Sequence, residues 1–356
     1  MKRTLPKLVI RWYLQNKRDL PWRENKEPYR VWLSEMMLQQ TRVQAVIPYY
    51  KRFLAELPTI GALAAANEEQ LYKLWQGLGY YSRARNLQKA ARVIMTEYDG
   101  VFPNAYEQIL KLPGVGPYTA GAIASICFDA PVPAVDGNVL RVTARIEGLA
   151  VDISQPAVKK EIREALLQIY PKSGSGDFTQ GLMELGATVC VPGGKPKCGE
   201  CPVKSICKAF QNGATGEIPL KKPAKTRTHE SITVFVLVCN EKFAIRKREE
   251  KGLLAGLWEF PNNVGILTSE QAISLASSWD VKPEKIAKKA DKKHVFTHIE
   301  WHMRFYRIPC GEQSARFIWV DEDALRDTYA IPTAFQMPDF LCDFRKIPHS
   351  QTLLFL

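Results

Sequence analysis

Leu112-Pro113-Gly114-Val115-Gly116-Pro117-Tyr118-Thr119-Ala120-Gly121-Ala122-Ile123 is a glycine-rich turn running into an apolar segment, followed shortly by Val135-Asp136-Gly137-Asn138-Val139. Two glycines in a tight turn that opens onto an apolar helix leave backbone N–H groups and the positive end of a helix dipole facing outward, a natural seat for a phosphate. Gly114 and Gly116 are the residues whose N–H groups would do this. Read alone, Leu-Pro-Gly-Val-Gly is also ordinary turn chemistry, with Pro early in the turn and Gly where φ must be positive. Asp136, bracketed by Gly137 and Asn138, adds an acid close to whatever the turn holds.

The composition supports a polyanionic partner. The 356 residues are 46% hydrophobic and 24% charged, ordinary for a globular chain of about two domains and unlike a disordered or fibrous one. The formal net charge of +12 favours a polyanion through steering and counterion release. The apolar runs are too short to span a membrane, and the start, MKRTLPKLVIRWYLQNKRDL, lacks the uninterrupted apolar stretch of a signal peptide. The expected location is therefore the cytoplasm, with no membrane partner.

The eight cysteines are distributed unevenly. Cys127, Cys239, Cys310 and Cys342 are scattered among apolar residues, where a reduced thiol packs as a small hydrophobe. Cys190, Cys198, Cys201 and Cys207 instead form one compact C-x7-C-x2-C-x5-C run. Four thiols so close in a reducing compartment point to a metal centre. Zinc favours two close pairs separated by a loop, so one pair flanked by single ligands favours a [4Fe–4S] cluster, although the two ligand sets overlap. Lys195, Lys197, Lys204 and Lys208 are interleaved with the thiols and would make the loop a basic surface.

The periodicity changes near residue 215. Before it, residues 68–76, 82–98, 106–111, 119–128, 155–169 and 178–189 carry apolar residues at helical spacing. Glu217-Ile-Pro-Leu-Lys-Lys-Pro-Ala-Lys225 reads as a basic, proline-containing linker. Beyond it the period falls toward two. Residues 232–239, 243–245, 303–308 and 317–320 read as strands, with helices at 269–278 and 321–327. The expectation is an all-α region joined to an α+β domain.

These motifs, occurring in order with the helix Val31-Trp-Leu-Ser-Glu-Met-Met-Leu-Gln-Gln-Thr41, resemble the MutY-type adenine DNA glycosylases of the helix-hairpin-helix endonuclease III superfamily. The resemblance covers almost the whole chain; it departs in the spacing after Cys190, one residue longer than is usual. It implies a helical catalytic region at 1–213, with a six-helix lobe at about 23–133 and a cluster lobe made of the N-terminal helix and about 134–213. It further implies a linker at 214–228, a Nudix-like lesion-recognition domain at 229–349 and a tail at 350–356. The implied partner is double-stranded DNA with adenine opposite 8-oxoguanine or guanine, lying in a cleft between the helical lobes. The implied protein is a monomer at the bacterial nucleoid.

The chemistry can be argued from the residues. Releasing adenine needs a proton on a poor leaving group and negative charge near an oxocarbenium ion, hence two carboxyl groups. Glu35, beside Trp32, Leu33, Met36, Met37 and Leu38, is the candidate acid, since burial would keep it protonated. By resemblance Glu35 protonates the base and later activates water, while Asp136 stabilises or captures the sugar cation, oriented by Asn138. Relatives with Lys at the place of Tyr118 form a Schiff base and cut the strand; a phenol cannot, so a monofunctional glycosylase with Tyr118 supporting the transition state is expected. An in-stack base must be flipped out. By resemblance Gln40 and Tyr80 are wedges, with Thr41 beside Gln40, Leu38 packs near the flipped adenine, and Trp22 and Arg23 line its pocket. No role is assigned to Gln180.

In the second domain, Gly252-Leu-Leu-Ala-Gly-Leu-Trp-Glu-Phe-Pro261 is similar to a Nudix motif but lacks the run of acids that holds magnesium, which argues against a triphosphatase. The family's lesion-reading loop corresponds to Phe296-Thr297-His298, where Thr297 keeps a hydroxyl for 8-oxoguanine. Gln351-Thr-Leu-Leu-Phe355 resembles a sliding-clamp docking peptide, and packing of the tail on its own domain is the alternative. Two rival functions are a glycosylase/lyase for oxidised pyrimidines, opposed by Tyr118 and the second domain, and a silent cluster-bearing DNA-binding protein, opposed by Glu35 and Asp136.

Overall fold

A computed structural model describes residues 3–193, 195–220 and 226–341. The tail at 350–356, with its expected clamp peptide, lies outside the described residues, as do Cys342 and residues 221–225 of the linker. The helices of the first part are α1 (Leu5–Asn16), α2 (Pro28–Leu38), α3 (Val43–Glu56), α4 (Ile60–Ala65), α5 (Glu68–Trp75), α6 (Ser82–Glu97), α7 (Tyr106–Ile109), α8 (Pro117–Phe128), α9 (Gly137–Glu147), α10 (Pro156–Leu167), α11 (Ser175–Thr188) and α12 (Lys208–Gln211). The chain divides into two compact units: Met1–Ala66 with Ser82–Pro223, and Asn67–Tyr81 with Ala224–Leu356. Thus α5 and the turn after it pack with the C-terminal part.

In the first unit, α8 shows why the glycine-rich turn at 112–116 folds as it does. Gly116 is its N-cap and Pro117 occupies the first turn, where a missing N–H is harmless. Thr119 to Ile126 are all buried, so the helix has no polar face and runs through the middle of the packing. At Gly114 φ is +74°, and a Cβ there would come within 2.4 Å of Asn86 Cβ, so both backbone conformation and close approach demand glycine. One core joins α1, α9, α10 and α11 through Leu5, Val9, Val139, Leu166, Phe178 and Leu182. Val31 of α2 packs on Ala122 and Ile126 of α8.

The second unit contains β1 (Thr228–Cys239), β2 (Lys242–Lys247), β3 (Trp258–Glu259), β4 (Asn262–Val264), α13 (Ser269–Ser277), β5 (Lys288–Val295), β6 (Ile299–Pro309), β7 (Ile318–Val320), α14 (Glu322–Asp327) and α15 (Pro338–Leu341). The mixed sheet runs β3-β2-β1-β6-β5, with β4 on β1 and β7 on β2. β1 and β6 are parallel, Thr228 opposite Ile299 through Val238 opposite Pro309. From Ile232 to Leu237 β1 is buried and almost wholly apolar because both its faces are covered. Ile232, Val234 and Val236 meet Trp301, Phe305 and Phe335, while Phe235, Leu237 and Cys239 meet Ala272 and Ala276 of α13. Every strand and helix read from the sequence is present here; β3, β4, the lysine-rich β5 and α15 are additional.

Candidate active site and metal centre

Glu27 starts α2 by accepting from the N–H groups of Tyr29 and Arg30, both at 3.0 Å, with Pro28 in the first turn. From Val31 to Met37 every residue is buried. Glu35, 6% exposed, is the acid within that run. The C-terminal end of α2 is held by Arg83 of α6, which donates to the carbonyls of Met36, Met37 and Gln39 at 2.7–2.9 Å. The α2 end leads into Gln40, exposed and at φ 60°.

Tyr118, in the first turn of α8, donates its hydroxyl to Glu35 Oε2 at 2.5 Å. Burial pushes the Glu35 carboxyl up to about 7, with the Tyr118 hydrogen bond and Arg23 acting downward and Asp136 acting upward. Burial likewise raises the Tyr118 phenol well above its ordinary value, so it stays a neutral donor. Asp136 is the N-cap of α9: Oδ1 accepts from Val139 N at 2.7 Å and Oδ2 from Asn138 Nδ2 at 2.8 Å. Burial raises its carboxyl, opposed by those same hydrogen bonds and by Arg141. Asn138 is itself fixed, accepting from Arg141 at 2.8 Å, and Arg141 donates onward to the carbonyls of Cys190 and Gly186, each at 2.8 Å.

Glu35, Tyr118, Asp136, Asn138, Trp22, Arg23, Leu38 and Thr41 line one cavity of about 240 Å³, together with Gln180, Met183 and Glu184 of α11. Gln40, Gly114 and Gly116 lie outside that lining. No Cβ built at Gly116 would meet another atom within 4 Å, so its backbone borders open space. In the second unit, Phe296, Thr297 and His298 form the turn between β5 and β6, closed by Phe296 N–H to Ile299 O at 2.8 Å. Phe296 packs edge-on against His294 and Trp301, at 4.6 and 4.9 Å between ring centroids, leaving Thr297 and His298 exposed. Tyr80, 44% exposed and at φ 47°, shares a hydrogen bond between its hydroxyl and that of Thr297.

Sequence reading assigned no role to Glu184. It is 1% exposed, and although burial pushes its carboxyl upward, hydrogen bonds from Arg18 at 2.6 Å and Arg23 at 2.8 Å hold it down at about 2. It thereby fixes Arg23, whose guanidinium also lies over the Tyr13 ring. An acid inside the apolar pattern Phe178-Thr-Gln-Gly-Leu-Met-Glu184-Leu was the available signal.

The four cysteines Cys190, Cys198, Cys201 and Cys207 line a second cavity, walled by Val142, Ile146, Leu185, Val189 and Val203, while Lys195, Lys197, Lys204 and Lys208 face solvent. Arg145 donates to Cys190 Sγ at 3.2 Å. Burial raises the Cys201 thiol to about 11, and the other three thiols push it the same way. Thiolates crowded in so apolar a space need a cation among them. Four cysteine thiols around one apolar cavity are a donor set that fits a metal group. In the second unit, ligand atoms of His229, Glu300 and His302 lie within 4.8 Å of one another.

The chain matches the HhH-GPD superfamily of base excision DNA repair proteins over residues 33–170 and a NUDIX domain over residues 233–337. It is 35% identical over 306 residues to the adenine DNA glycosylase of Buchnera aphidicola from Acyrthosiphon pisum, covering 85% of this chain and 86% of that one. To the Arabidopsis thaliana adenine DNA glycosylase it is 40% identical over 75% of its own length, spanning about half, 48%, of that relative. The structure of a thermostable thymine-DNA glycosylase superposes with a TM-score of 0.53 at 28% identity, covering 58% of this chain and 95% of that one. With a helix-hairpin-helix region, a hydrogen-bonded Glu–Tyr pair sharing a cavity with an N-cap Asp, and a Nudix-like second unit, the chain belongs to the adenine DNA glycosylases, hydrolases of N-glycosyl bonds in base excision repair.

Proposed function

We propose that this chain removes adenine opposite 8-oxoguanine or guanine in duplex DNA, as a monofunctional glycosylase. The observation that carries the reading is the pairing of Glu35, its carboxyl at about 7, with Asp136 in the same cavity. Burial raises both carboxyls, but at Asp136 the N-cap and Asn138 hydrogen bonds and Arg141 oppose the shift, and environments that differ in this way are how one site divides acid and anion roles between two carboxyl groups. Protonated Glu35 gives its proton to a ring nitrogen of the flipped adenine, and the N-glycosidic electron pair leaves with the base. Asp136, oriented by Asn138, stabilises the sugar cation. Water then adds to C1′ and returns a proton to Glu35. Tyr118 donates to Glu35 and offers no amine for a Schiff base.

Leu38, Trp22, Arg23 and Thr41 bound the adenine pocket, the N–H groups of Gly114 and Gly116 take a backbone phosphate, and Gln40 and Tyr80 act as wedges. Left-handed backbone at both wedge residues supports this, since such strain concentrates at functional positions. Phe296, Thr297 and His298 read the opposite base, with the Thr297 hydroxyl as the polar contact. Cys190, Cys198, Cys201 and Cys207 hold a [4Fe–4S] cluster, which would fasten the loop after α11 and present its lysines to DNA. The domain roles follow the boundaries expected at 1–213, 214–228 and 229–349. The setting is the bacterial cytoplasm at the nucleoid, the protein acts as a monomer, and Gln351–Phe355 docks on the sliding clamp, which deletion of residues 351–356 would test by pulldown. No helix among the described residues is long and apolar enough to cross a membrane.

The test is single-turnover cleavage of a labelled duplex with adenine opposite 8-oxoguanine, scored with and without hot alkali, beside an oxidised-pyrimidine duplex. Breaks at adenine only after alkali support the reading. Breaks without alkali, or activity on the pyrimidine lesion alone, overturn it.

A further inference from the structure

We propose that His229, Glu300 and His302 form a binding site for one divalent transition-metal ion, of the zinc type, on the second unit. The site follows from strand register. β1 pairs with β6 in parallel so that His229 stands opposite Glu300 and Ser231 opposite His302. The period of two along β6 then carries Glu300 and His302 to the same face.

The three ligand atoms make a small triangle. Glu300 Oε1 is 2.9 Å from His302 Nε2 and 3.5 Å from His229 Nδ1, and the two imidazole nitrogens are 3.5 Å apart. Zinc bonds of about 2.0–2.1 Å to nitrogen and oxygen set tetrahedral edges of about 3.3 Å. All three edges match this to within a few tenths of an ångström. The Glu300 side chain is 8% exposed and so anchored, whereas His229 and His302 are 65% and 50% exposed, leaving the outer side of the triangle open to water as a fourth ligand. Two imidazoles with one carboxylate suit zinc, nickel or copper rather than calcium or magnesium, which take oxygen ligands.

One feature of the fold competes with the ion. Lys293 of β5 stands opposite His302 in the antiparallel pairing, and its Nζ lies 2.7 Å from the same Glu300 Oε1. An ammonium and a metal cannot share that oxygen lobe, so Lys293, itself 57% exposed, must swing outward when the ion binds. The ion would tie the first residues of β1 to the strand leaving the 296–299 turn, where Thr228 N–H already donates to His298 O at 2.9 Å.

The experiment uses full-length, cluster-loaded protein in equilibrium dialysis against zinc sulfate, with bound zinc measured by elemental analysis and its ligands by X-ray absorption. Wild type is expected to hold one more zinc per chain than the double variant His229→Ala/His302→Ala, with only nitrogen and oxygen neighbours. Lys293→Ala is expected to tighten binding by about threefold to fivefold, since an exposed ion pair no longer opposes the ion. A purely structural His–Glu–Lys cluster predicts no such tightening. Equal zinc in wild type and double variant, sulfur neighbours around the extra zinc, or unchanged affinity in Lys293→Ala would each overturn the proposal.

Discussion

Glu35→Gln is expected to abolish base release and yet stabilise the protein at alkaline pH. A carboxyl at about 7 in the folded state, against 4.5 as its ordinary value, means that the folded chain binds more protons than the unfolded chain between those two pH values. Stability contributed by the protonated form is full below about pH 4.5 and is lost as pH rises through about 7. At 1.36 kcal/mol per unit, the shift corresponds to a penalty of about 1 kcal/mol near pH 5 and about 3 kcal/mol near pH 8. Gln cannot ionise and keeps a carbonyl oxygen to accept the Tyr118 hydroxyl, so it escapes the penalty. Urea unfolding followed by far-UV ellipticity, which reports mainly on the helical unit, should show the variant gaining on wild type by about 2 kcal/mol between about pH 5 and about pH 8. A stability difference that stays constant across that range would refute the argument that desolvation governs this carboxyl.

Four further outcomes follow from the same geometry. The single-turnover rate should fall about tenfold per pH unit above about 7. Tyr118→Phe, which removes a hydrogen bond that lowers the Glu35 value, should move that limb to higher pH by about one unit; a shift to lower pH would contradict the assignment. Glu184→Gln should cost about 2–3 kcal/mol at neutral pH by leaving Arg18 and Arg23 without their carboxylate. That stability is present above about pH 4.5 and lost as pH falls through about 2, so denaturation midpoints of variant and wild type should converge in acid. Gly186→Ala would put a methyl carbon 2.6 Å from Asn138 Cβ, displacing the residue that orients Asp136. It should slow base release and cost about 1–3 kcal/mol, whereas Gly199→Ala, where no atom lies within 4 Å of the added carbon, should match wild type in both rate and thermal midpoint.

Local chemistry alone wrote much of this protein into its sequence. The glycine spacing of Leu112–Gly116, the apolar run around Glu35 and the close spacing of Cys190 to Cys207 each express a constraint satisfied within a few residues, so they can be read without a fold. Helical and strand periods are likewise short-range. Other features depend on segments distant in sequence. Glu35 gains its hydrogen bond from Tyr118, 83 residues away, and Arg18 reaches Glu184 across 166. β5 escaped sequence reading because Lys288-Lys-Ala-Asp-Lys-Lys-His-Val295 has charge where strands usually carry apolar residues; it is an edge strand, where lysines guard against further pairing. The left-handed backbone at Gln40 and Tyr80 and the packing of residues 67–81 with the C-terminal unit have no local signature. Most of the elements, the family and the chemical inventory were legible in the residues alone. Folding buries both acids and gives Asp136 the hydrogen bonds and the Arg141 charge that oppose its desolvation, because those neighbours come together only in the folded chain.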